Sequence, residues 1–138
     1  MTTNIGNTND PFYRYKRPIS IIENRKNNTI IKNIDNIAKS LHTETKYILY
    51  YIQLAKSVVI TPKGEIKAIL NKNEIEELIN KYIDVYILCK KCKYPELVIK
   101  KHNNNKLYYS CNACGYSIDI PEDKFTKIIY KDIMAYPN

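Results

Sequence analysis

The first apolar positions with helical spacing are Ile34, Ile37, Ala38 and Leu41, at i, i+3, i+4 and i+7. Asn33 stands where an N-cap belongs, and the β-branched run Thr29 to Ile31 just before it reads as a strand. A second stripe, Ile75, Leu78, Ile79, Tyr82 and Ile83, predicts a longer helix whose apolar face packs into a core. Asn71 or Asn73 can cap it, and Glu74, Glu76 and Glu77 lie where the positive end of its dipole favours acids. Between the two helices, Tyr47 to Leu54 is dense in Tyr, Ile and Leu. Ser57 to Thr61 is expected to pair with Glu65 to Leu70 across Thr61-Pro62-Lys63-Gly64, whose Pro and Gly suit a type I turn.

The second stripe continues through Val85, Tyr86, Ile87 and Leu88 into Cys89 with no flexible linker. Beyond it, Tyr94 to Lys100 and Lys106 to Ser110 are β-prone runs separated by the turn cluster His102 to Asn105. The pattern therefore predicts an α+β protein: a small α/β domain of two helices and short antiparallel strands over residues 19–86, docked to a β-rich unit over 87–122. Residues 1–18 are expected to form a flexible arm, and residues 123–138 a C-terminal segment.

Composition narrows the chemistry. The 138 residues carry 22 Lys+Arg against 14 Asp+Glu, a net charge of +8, with 44% hydrophobic and 26% charged residues. No apolar run approaches the ~18 to 20 residues of a transmembrane helix, and no signal peptide is visible, so a reducing, cytoplasmic setting without membrane contact is expected. The three glycines, Gly6, Gly64 and Gly115, lie far apart, which rules out a phosphate-cradling glycine loop. With two histidines and no serine in a G-x-S-x-G setting, the common hydrolase constellations are missing as well.

Cys89, Cys92, Cys111 and Cys114 read C-x2-C, eighteen residues, C-x2-C. Two residues between thiolates let a tight turn aim both sulfurs at one tetrahedral ion, and the spacer suffices for a hairpin that returns the second pair. Gly115 follows Cys114 where such a knuckle needs positive φ. One structural, four-thiolate Zn²⁺ is the expectation, in preference to disulfides or a redox pair. So small a unit cannot bury enough apolar surface alone, and metal binding would supply much of its folding free energy.

Charge is uneven. Residues 1–32 hold six basic side chains against Asp10 and Glu23, and residues 89–106 hold six lysines against Glu96. Lys90, Lys91 and Lys93, with Tyr94, Tyr108 and Tyr109 nearby, form a face suited to phosphates or an acidic protein surface, unless it is simply solvated. In Phe12-Tyr13-Arg14-Tyr15-Lys16-Arg17-Pro18, the arginine between aromatics has two readings. It anchors the arm by stacking, or it is presented to a partner's active site, where its planar fork stabilises a phosphoryl-transfer transition state.

These residues carry a family resemblance. Asp10-Pro11-Phe12-Tyr13-Arg14-Tyr15-Lys16, followed by Pro18, resembles the start of eukaryotic translation initiation factor 5. Ile79 to Cys92, Pro95-Glu96 and Cys111 to Gly115 resemble the junction and zinc ribbon shared by that factor and the beta subunit of initiation factor 2. The resemblance implies a protein that is not itself an enzyme but activates GTP hydrolysis by initiation factor 2, whose gamma subunit holds the GTP, within the small-subunit initiation complex. It implies that Arg14 is an arginine finger and that Lys46 supports it. Tyr13, Tyr15, Lys16, Lys90, Lys91 and Lys93 are then expected to contact the partner, the small ribosomal subunit, initiator tRNA or mRNA, with the protein acting as a monomer. The family's glycine-rich stretch is replaced here by Asn24 to Thr29. Its usual acidic linker and helical-repeat domain have no counterpart before Asn138, so a stand-alone N-terminal domain is expected. The alternative is a binding module like the beta subunit, or a mimic that occupies the complex without stimulating hydrolysis.

Overall fold

The structure, a computed structural model, describes residues 1–6 and 8–135. The last three residues of the expected 123–138 segment lie outside them. The chain is α+β, with four helices and three small antiparallel sheets among the described residues. Strands β1 (Thr2–Asn4) and β2 (Lys16–Pro18) pair with Thr3 opposite Arg17, and β3 (Ile22–Arg25) and β4 (Asn28–Ile31) form a hairpin with Lys26 at its exposed tip. Helices α1 (Ile34–Ser40), α2 (Thr45–Lys56) and α3 (Lys72–Tyr82) follow. A π-helical turn, Ile83–Ile87, then leads into a three-stranded sheet ordered β5 (Leu97–Lys101), β6 (Leu107–Cys111), β7 (Ser117–Asp119). Helix α4 (Lys124–Ala135) closes the described chain, and no described helix is long and apolar enough to cross a membrane.

Helix α3 forms where its stripe and cap place it. Asn71 Oδ1 accepts the Glu74 N–H at 2.8 Å while Glu74 Oε1 accepts the Asn71 N–H at 3.3 Å, a capping box that settles the start on Asn71. Ile75, Leu78, Ile79 and Tyr82 are buried. Asn33 precedes α1 as expected but does not cap it with its side chain. Its amide instead accepts from Ile21 N–H and donates to the Ile19 carbonyl, each at 2.9 Å, tying the helix start to the preceding segment.

Two expectations change and two gain detail. The Tyr47 to Leu54 run, not assigned to a helix from the sequence, lies within α2, so the count of two helices rises to four. Residues 57–61 and 65–70 pair as expected, with the Lys67 N–H donating to the Val59 carbonyl and the Thr61 N–H to the Glu65 carbonyl at 2.9 Å each, and the Gly64 N–H closing the turn on the Thr61 carbonyl at 2.9 Å. Ile66 bridges Ile60 but also β4 at Thr29, exchanging backbone hydrogen bonds of 2.8 and 2.9 Å with it. Fully buried Thr29 reinforces this crossing, its hydroxyl donating to the Ala68 carbonyl at 2.6 Å and accepting from Leu70 N–H at 2.9 Å. The segment after residue 122 is helical because Asp123 and Thr126 cap it reciprocally at 2.7 and 2.8 Å, and Phe125 and Ile129 drop into the core.

The second change concerns residues 1–18. Rather than a free arm, they fold back through the β1–β2 pairing, with Ile5 in the main core and Arg17 wholly buried. Arg17 donates through both terminal nitrogens to the Glu76 carboxylate of α3, at 3.1 Å each. Elsewhere Tyr51, Tyr82, Tyr86 and Phe125 pack in tilted and edge-on pairs at centroid separations of 4.4 to 6.0 Å, joining α2, α3, the π-helical turn and α4. Tyr86 and Ile99 pack against both the main core and the smaller one around Cys89, Leu97, Tyr109 and Cys111. The cysteine-bearing sheet is thus docked on the helices.

Candidate functional site

The four cysteines come together at the end of β6 and just after the π-helical turn, all Sγ atoms within 4.8 Å of one another. Cys89 Sγ lies 3.7 Å from Cys114 Sγ and Cys92 Sγ 3.6 Å from Cys111 Sγ. Four sulfurs at ~2.3 Å from one ion at tetrahedral angles stand about 3.8 Å apart, so the spacing fits a single metal ion. Two matching turns produce it. The Lys93 N–H donates to the Cys89 carbonyl at 3.0 Å and the Gly115 N–H to the Cys111 carbonyl at 2.9 Å, with φ of +67° at Lys93 and +78° at Gly115. The N–H groups of Lys91 and Cys92 also point at Cys89 Sγ, at 3.4 and 3.5 Å.

The thiols show why this donor set suits a cation. Burial opposes ionisation of Cys89, yet the N–H groups of Cys92 and Lys91 and the Cys114 thiol bring it down to about 7. Burial, then the neighbouring Cys111 and Cys89 thiols, pushes Cys92 up to about 12 despite the Tyr94 backbone. Protein groups alone therefore do not let all four ionise together, whereas a bound divalent ion would.

Across from the first turn lies the segment 12–17, whose side chains alternate. Phe12, Arg14 and Lys16 are exposed, whereas Tyr13 and Tyr15 are half-buried and Arg17 fully buried. The Arg14 guanidinium sits 4.9 Å from the Tyr15 ring centroid, within cation–π range. Tyr13 and Tyr15 face Tyr94, at 6.5 and 5.7 Å between centroids. Lys90, Lys91 and Lys93 are exposed around the cysteine turn.

Lys46 lies at the start of α2 and is directed at α4. Its Nζ donates to Asp132 of α4 at 2.8 Å and lies 3.8 Å from Glu44. The hydrogen bond to Asp132 lifts the Lys46 ammonium above its ordinary value, and bonds from Lys46 and Tyr47 hold the Asp132 carboxyl below its own. Sequence reasoning did not anticipate Arg17 or Asp132, because each is matched to a partner 59 or 86 residues away.

A family described as the domain found in initiation factors 2B and 5 matches residues 6–117, a span that holds Arg14 and all four cysteines. The chain belongs to that family. Among its relatives, eukaryotic translation initiation factor 5 of Caenorhabditis elegans is 33% identical over 134 residues, covering 89% of this chain and 30% of that protein. The Saccharomyces cerevisiae factor 5 is 30% identical over 125 residues, 83% of this chain and 31% of that protein. Translation initiation factor 2 subunit beta of Nanoarchaeum equitans is 32% identical over 106 residues, 74% of this chain and 76% of that protein. The chain spans about a third of the length of its factor 5 relatives. Helix α4 lies beyond the residues matched to the family domain, so the Lys46–Asp132 pair joins a matched position to one outside the span.

Proposed function

We propose that this chain acts in the cytoplasm as a factor 5-like activator of GTP hydrolysis by initiation factor 2 in the small-subunit initiation complex. Arg14 enters the gamma subunit's GTP site as an arginine finger. The observation that carries this reading is the exposure of Arg14 on the outward side of segment 12–17, between exposed Phe12 and Lys16. Phosphate cradle, Mg²⁺ and attacking water belong to the partner, as befits a chain whose three glycines are scattered. Lys46 supports the interaction from α2, and Lys16, Lys90, Lys91 and Lys93 offer positive charge to phosphates of rRNA, initiator tRNA or mRNA. Tyr13 and Tyr15 contribute at the edge of that surface. Cys89, Cys92, Cys111 and Cys114 hold one structural Zn²⁺, which fixes the two turns and leaves no open coordination position.

The test is single-turnover GTP hydrolysis by initiation factor 2 on small-subunit complexes. An arginine finger is worth ~10³ to 10⁵ in rate, on the order of 4 to 7 kcal/mol of barrier, so Arg14→Ala should lose stimulation of that order while still binding. Equal stimulation by wild type and variant overturns the finger. Metal analysis of protein purified without added zinc should give about one zinc per chain by the four-ligand argument. A metal-free protein of unchanged fold removes that part. The second reading is a beta-subunit-like binding module that occupies the complex without accelerating hydrolysis. It is favoured by the Nanoarchaeum equitans match, which covers 76% of that protein. Binding with no acceleration by wild type identifies it.

A further inference from the structure

We propose that Tyr94 positions Arg14: the exit of the first cysteine turn is a seat on which Tyr13 and Tyr15 stack so that Arg14 is held outward in one orientation. This deepens the arginine-finger reading above and rests on it for its catalytic consequence. The seat is built from backbone and side chain together. The Tyr94 carbonyl accepts N–H groups from both Cys89 and Glu96 at 2.9 Å each, locking residues 94–96 to the turn. The Asn112 N–H donates to the Glu96 carbonyl at 3.0 Å, so the second cysteine turn braces the same stretch.

On this base the rings of Tyr13 and Tyr94 lie within 23° of parallel, and Tyr15 packs at 5.7 Å from Tyr94 and 5.6 Å from Tyr13, three rings in mutual contact. The Glu96 carboxylate beside Tyr15 favours its protonated hydroxyl and holds it above its ordinary value. From the other side the Ile5 N–H donates to the Tyr15 carbonyl at 2.9 Å. Gly6 beside it has φ of +119°, a backbone conformation that L side chains rarely adopt, and lies in van der Waals reach of the Tyr13 hydroxyl. With its two sequence neighbours held, Arg14 has little freedom beyond its own side chain, and Tyr15 restricts that by cation–π contact at 4.9 Å. A fixed guanidinium enters a GTPase site with less ordering entropy than one on a free tail. Tyr94 itself is 45% exposed, so its ring contributes little to either core.

The experiment uses full-length, metal-loaded Tyr94→Ala and Tyr94→Phe. Losing the Tyr94 contacts to two rings should speed exchange of the Ile5 amide by roughly 5- to 100-fold, while metal content stays as in wild type and the global unfolding equilibrium in urea shifts by no more than that same factor. Tyr94→Phe, which keeps the ring, should match wild type throughout. In the GTPase assay Tyr94→Ala should lower the maximal stimulated rate by about tenfold, the scale of one lost aromatic contact, and leave half-saturation unchanged, again with rescue by phenylalanine. Unchanged Ile5 exchange in Tyr94→Ala overturns the seat, as does an equal loss in Tyr94→Phe. If Ile5 exchange rises while Arg14→Ala hydrolyses like wild type, the seat stands and the finger fails, so the two ideas fall separately.

Discussion

Replacing Arg17 with methionine tests whether residues 1–18 are fastened by a buried ion pair. The Arg17 side chain is 0% exposed and that of Glu76 21%. Besides its two bonds to Glu76, the guanidinium donates to Asn80 Oδ1 at 3.1 Å and to the Pro18 carbonyl at 2.9 Å. Methionine keeps much of the apolar stem and removes the fork. Taking one partner from a buried pair costs ~3 to 5 kcal/mol, mainly because the other charge is stranded. Glu76 retains the Ser20 N–H at 3.1 Å and some contact with water, so the lower end, about 3 kcal/mol, is expected. That is a large share of the ~5 to 15 kcal/mol available to a domain. Urea unfolding followed by far-UV circular dichroism at pH 7 reads it as a lower midpoint at constant m.

A pH series supplies the second arm of the same test. Burial raises the Glu76 carboxyl, but hydrogen bonds from Arg17 and the Ser20 N–H outweigh it and leave the group below its ordinary 4.5. On acidification the unfolded chain therefore takes up the proton first. The stabilisation is complete above the unfolded value and is lost as pH falls through the lowered folded one. Glu76→Gln lacks this acid-side loss, and subtracting its profile from wild type cancels protonation of the four cysteines, which both share. A cost below about 1 kcal/mol for Arg17→Met, the size of an exposed pair, together with parallel acid profiles for wild type and Glu76→Gln, refutes the reasoning.

Two further outcomes are expected. Asp132→Ala removes the 2.8 Å bonds from Lys46 and Tyr47 that fasten α4 to α2; it should cost about 1 to 2 kcal/mol in urea unfolding, and a neutral result would refute that fastening role. Lys93→Gly and Gly115→Ala should act in opposite directions, each by about 1 kcal/mol, on the stability of metal-loaded protein. A Cβ at Gly115 meets nothing within 4 Å, so the cost there is purely conformational, and a neutral Gly115→Ala would contradict it.

What the sequence made legible was local. The cysteine turns need two residues between thiolates and a tolerated positive φ afterwards, both readable within five positions. Helix α3 announced itself because its cap and stripe agree. Helix α2 was hidden by abundance: Tyr47 to Ile52 is apolar at every position, so no period stands out, and the buried face is chosen by α3 and α4 rather than by the segment itself. The Thr29–Ile66 bridge has no local signal either, since it depends on a loop returning across β4.

Segment 12–17 shows the harder limit. Its residues alternate in the structure as a strand's do, but neither face is consistently apolar: one presents Phe12, Arg14 and Lys16, the other Tyr13, Tyr15 and Arg17. A reader using hydrophobicity alone would bury Phe12, the most apolar of the six, and that choice turns Arg14 inward with it, because a one-residue slip exchanges the faces. Phe12 is instead 91% exposed. The register is set by two distant groups: Glu76 claims Arg17, and Tyr94 packs on Tyr13 and Tyr15. Arg17 is thereby neutralised inside, and the positive charge that this segment shows a partner reduces to Arg14 and Lys16. The outward placement of Arg14 is thus a tertiary property, held by α3 on one side and the cysteine turn on the other.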